Sequence, residues 1–148
     1  MNKTTELIFT IVGAALTLLT VYGAVKLDRK LFLSGLFYFS FIPIIAESMA
    51  YCSDKTAVHI MVITVFLTQL VLALPNTIVY GQDNVAATKL SAKIALAFLI
   101  INVAGAVFVL CLNSGVAAQF GYYHIVFVLA VVYLMFKRMS SNGAAWLK

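Results

Sequence analysis

Residues 31–52 read LFLSGLFYFSFIPIIAESMAYC, twenty-two residues with a single charged side chain, Glu47. A helix rises about 1.5 Å per residue, so a run of this length crosses a hydrocarbon core of about 30 Å. Four further apolar runs flank it: Leu7 to Val25 before it, then Val58 to Gly81, Ile94 to Leu112 and Phe120 to Phe136 after it. The connections Lys26 to Lys30, Ser53 to Ala57, Gln82 to Lys93 and Asn113 to Gln119 are short, which makes neighbouring helices antiparallel and leaves no room for a second domain. The pattern predicts an all-α polytopic membrane protein, an antiparallel bundle of about five transmembrane helices in one domain over residues 1–148.

Composition agrees. Hydrophobic residues make up 64% of the 148 and charged residues 10%, against about a quarter charged in soluble domains. In water such a chain exposes more apolar surface than a soluble monomer tolerates, whereas lipid accepts it. The net charge of +5 does not indicate a nucleic-acid partner, because the basic residues sit between apolar spans instead of forming a patch.

The first run differs from a signal peptide. Lys3 and Glu6 cancel ahead of it, its core is long, and Lys26, Arg29 and Lys30 follow it. With the N-terminus outside, Lys26, Arg29, Lys30, Lys89, Lys93, Lys137, Arg138 and Lys148 are all on the inner side and only Lys3 and Lys55 on the outer. The positive-inside rule therefore predicts an outer N-terminus and a cytoplasmic C-terminus. A bacterial cytoplasmic (inner) membrane is the expected location. Tyr122 with Tyr123 reads as an outer aromatic anchor and Trp146 as an inner one. Pro75 and Asn76, near the inner end of the third run, predict a kink or an early stop there.

Glu47 is the only acid well inside a run. It stands five residues from Cys52, roughly 7–8 Å below the outer boundary. A carboxyl at that depth faces other helices or a wet cavity instead of lipid. It suits a proton-carrying or cation-binding role, and equally a structural bond to a neighbouring helix. His59 and His124 fall in the same outer half, and Tyr51 and Ser40 share the helical face of Glu47. Glu47, Tyr51, His59 and His124 are thus the candidate ligand- or ion-binding residues. Their spacing matches neither a haem nor a zinc site, so neither a metal nor a cofactor is expected.

Gln69 and Asn76 are seven residues apart in the third run, and Asn102 and Asn113 eleven apart in the fourth, so each pair shares one helical face. Such amides commonly bond between helices in lipid. Cys52 and Cys111 come at the outer ends of the second and fourth runs, where a disulfide is possible if their Cα atoms approach to about 4.4–6.8 Å. No G-x-S-x-G, H-E-x-x-H or phosphate-binding glycine loop appears, and no catalytic residue is assigned.

Two functions fit. The first is a small non-enzymatic subunit or accessory component of a membrane assembly, with lipid, further copies or a larger complex as partners. The alternative is a small proton- or cation-linked transporter or channel that uses Glu47.

Overall fold

The structure, a computed structural model, describes residues 3–74, 84–111 and 118–140. Within them the chain is entirely helical: α1 Lys3–Lys26, α2 Arg29–Asp54, α3 Ala57–Leu72, α4 Asn84–Cys111 and α5 Ala118–Ser140. α1, α2 and long apolar stretches of α4 (Ala92–Cys111) and α5 (Ala118–Lys137) are long and apolar enough to cross a membrane. That property points to an integral membrane protein.

α3 is the exception. It ends at Leu72, after 16 residues, short of the Gly81 predicted from hydropathy alone. Its last turn closes through Ala73 N donating to Gln69 O and Leu74 N to Val71 O. Pro75 follows at once, and a residue before proline is pushed out of the helical region. Pro75 and Asn76 themselves lie outside the described residues. α4 departs the other way, starting at Asn84, well before the apolar run that begins at Ile94. An apolar run marks a thickness of hydrocarbon, and a helix is free to continue past it.

The two described turns are built by local chemistry. At the end of α1, Leu27 adopts φ 57°. Its N–H donates to Ala24 O while Asp28 N–H donates to Gly23 O, the paired bonds that close a helix on a left-handed residue. Asp28 then caps α2 by accepting from Leu31 N at 3.0 Å. A chain reversal this tight brings α2 onto Gly23, where an added Cβ would lie 2.4 Å from Phe32 N. Gly23→Ala should therefore push the α1–α2 hairpin apart and cost about 2 kcal/mol, read as a lower midpoint of thermal unfolding in detergent. At the other turn Lys55 takes φ 55° and closes α2 on Tyr51 O. Asp54 Oδ1 accepts from Thr56 N at 3.0 Å, which sets up the start of α3.

Around the bundle the helices follow the order α3, α2, α1, α5, α4; α3 lies against α2 and only grazes α4. Phe32, Leu36, Phe39, Phe98 and Phe127 form the dry centre, with Phe39 edge-on to Phe127 at 4.7 Å between ring centroids. Tyr123 belongs to this packing and not to a surface belt: its hydroxyl donates to Thr10 O at 3.0 Å, tying α5 to α1. Tyr122 is exposed. Trp146 lies outside the described residues.

Candidate functional site

Glu47 is 3% exposed on α2 and faces the first turn of α3. Its Oε2 lies 2.5 Å from His59 Nδ1. The other ring nitrogen, Nε2, is 3.0 Å from the Asp54 carboxylate, whose side chain is 54% exposed. The turn created by Lys55 is what folds α3 back so that one imidazole spans two carboxyls of the preceding helix.

The proton inventory of this trio is constrained. An ionised carboxylate only accepts hydrogen bonds, whereas an imidazole donates from whichever nitrogen carries hydrogen. An imidazolium between two carboxylates satisfies both contacts. So does a neutral imidazole that donates from Nε2 to Asp54 and accepts at Nδ1 from a protonated Glu47. The two forms hold the same number of protons and differ only in the position of one of them, Nδ1 or Oε2. A mirror form places it on Asp54. A proton arriving at the exposed end can thus be matched by one appearing on Glu47.

Glu47 also lines a cavity of about 290 Å³. Phe39, Phe66, Phe108 and Phe120 are among its lining residues, as are His124 of α5 and Gly105 of α4. His124 is buried, and its Nδ1 bonds to Asn102 Oδ1 at 2.9 Å. Asn102 Nδ2 donates to Gln69 Oε1 at 3.0 Å and to Phe98 O at 2.8 Å. Gln69 Nε2 donates to Ser40 Oγ at 3.1 Å, and that hydroxyl donates to Leu36 O at 2.8 Å. One chain of bonds therefore links α5, α4, α3 and α2. Because Asn102 Oδ1 can only accept, His124 must carry its hydrogen on Nδ1, which leaves Nε2 with a lone pair. The imidazole passes Gly105 so closely that a Cβ there would lie 2.9 Å from Nε2.

No protein-family model, curated protein or solved structure matches this chain.

Of the four residues considered for one pocket from the sequence, Glu47 and His124 line the cavity, and His59 stands behind Glu47. Tyr51 is half-buried and is not part of the cavity wall. Gln69 and Asn102 meet directly, whereas Asn76 and Asn113 lie outside the described residues. Cys52 and Cys111 are both free and exposed, so no disulfide joins them in the structure. Among the described residues no group of three His, Cys, Asp or Glu side chains is arranged so that it could hold a metal ion.

Two participants escaped the sequence reading. Asp54 falls in a connection when read from sequence, although its spacing of five from His59 across a short turn is visible there. Pro43, inside α2, lines the cavity. Proline has no N–H, so the carbonyl of Phe39, four residues earlier, loses its helical donor.

Proposed function

We propose that this protein is a small proton-linked transporter in which Glu47 is the proton-binding group at the substrate cavity. The observation that carries the reading is the unbroken contact from exposed Asp54 through His59 to buried Glu47. A buried acid serving only to join two helices has no need of a second carboxyl on the far side of its partner. Buried ionisable groups in membrane bundles generally mark ion or proton routes. The lysine and arginine distribution supports an outer N-terminus, which places Asp54 at the outer surface and the relay in the outer half of the bilayer.

Reconstitution into liposomes with a trapped pH dye tests the reading. Asp54→Asn keeps one acceptor oxygen within reach of both Thr56 N and His59 Nε2 but cannot bind a proton, so it should unfold close to the temperature of the parent while proton entry slows severalfold. Equal proton flux in the parent and in Asp54→Asn would overturn the relay.

A subunit role is the second reading, favoured by the sparse contact between α3 and α4. It predicts a stoichiometric partner on purification in mild detergent, which a self-sufficient transporter lacks.

A further inference from the structure

We propose that the cavity takes a lipophilic ammonium ion, a protonated primary or secondary amine with about twelve non-hydrogen atoms. The size follows from the volume: a protein cavity of about 150 Å³ holds benzene, and this one is about twice as large. The charge and the hydrogen-bonding sense follow from the two polar side chains among its lining residues, Glu47 and His124. Glu47 has committed Oε2 to His59, and among the described residues Oε1 has no protein partner. His124 has committed Nδ1 to Asn102, and Nε2 has none. Both atoms are acceptors on an otherwise apolar wall, and no lining side chain offers an uncommitted donor.

A neutral hydrocarbon would leave these buried acceptors unsatisfied, and an anion would be repelled by Glu47. An ammonium N–H satisfies them and balances the carboxylate, and Phe66, Phe108 and Phe120 line the same cavity, aromatic side chains of the kind that attract a cation. The trio of Asp54, His59 and Glu47 carries a net charge of −1 in every one of its tautomers, so one monovalent cation neutralises it.

Entry is from the side. The wall residues Val58, Met61 and Val65 on α3 are exposed, as is Ala104 on α4. The cavity is therefore open where α3 and α4 fail to close on each other, the face an apolar amine dissolved in lipid would meet.

The inference rests on the proton-linked reading in one respect, that an ionised Glu47 receives the ligand. The two fail separately, because binding is measured at equilibrium without a proton gradient. The full chain in phosphatidylcholine nanodiscs is titrated with tritiated 4-phenylbutylammonium by scintillation proximity. Unlabelled pentylbenzene and the quaternary benzyltrimethylammonium, each with the same number of non-hydrogen atoms as the probe, compete as size-matched compounds lacking charge or N–H donors. The expected result is saturable binding of one amine per chain, competition about tenfold weaker or worse by either compound, and a loss of about tenfold or more in Glu47→Gln. Ala104→Trp, which fills the mouth of the cavity without touching the relay, should abolish binding while proton entry driven by a pH gradient persists. Absence of saturable binding, equal competition by pentylbenzene or by the quaternary ion, or unchanged affinity in either variant would overturn the proposal. If binding fails while Asp54→Asn still slows proton entry, the ligand class is wrong and the relay stands.

Discussion

Glu47→Gln should abolish proton-linked transport, to the level of empty liposomes, in a protein that still folds and inserts. A glutamine carbonyl accepts from His59 Nδ1 much as the carboxylate does, so the contact between α2 and α3 survives. What the amide cannot do is hold the transferred proton. Glu47→Leu separates this from a structural role. It removes the acceptor and leaves His59 with an unsatisfied donor against an apolar wall, so it should melt roughly 5 °C below the parent. Thermal unfolding of both variants, set beside proton-coupled uptake, distinguishes the cases. A glutamine variant that transports like the parent would exclude Glu47 as the coupling group.

The largest loss of stability is expected at Asn102. This fully buried amide accepts from His124 and donates to Gln69 and Phe98 O. Asn102→Leu fits the volume but strands the His124 N–H and the Gln69 carbonyl oxygen inside the bundle. With each unsatisfied buried group costing about 1–3 kcal/mol, the variant should lose about 3 kcal/mol. Chemical unfolding in mild detergent micelles measures it. A paired Gln69→Leu should lessen the penalty, since one of the two stranded groups is then removed, and simple additivity of the two losses would contradict the bonded chain.

Much of this architecture was legible in the order of residues, because lipid imposes a length on every apolar run. The second and fifth helices contain the whole of their predicted apolar runs. The third could not be bounded that way: hydropathy continues to Gly81, and the stop at Leu72 is decided by backbone geometry ahead of Pro75. Glu47 was conspicuous because an acid in an apolar run needs a reason. Asp54 was not, since an acid in a connection needs none. Its role depends on the Lys55 turn, a three-dimensional fact. Gln69 and Asn102 could each be placed on a helical face from spacing alone. That the two faces meet, with Ser40 and His124 at either end, depends on the order of helices around the bundle, which no single sequence specifies.

The chain from His124 to Ser40 also sets what the bundle must keep out. Asn102 and Gln69 form its middle, and side-chain amides neither take up nor surrender protons under ordinary conditions. Under the proposed relay, the bonds that hold four helices together would be an insulator laid beneath a conductor. A charge delivered to Glu47 meets a dead end below, so a resting bundle would not short-circuit the gradient across the bilayer. Onward passage would then require the cargo to leave or the helices to rearrange. Substituting either amide by an acid of the same shape would bridge that gap, and a leak would be its signature.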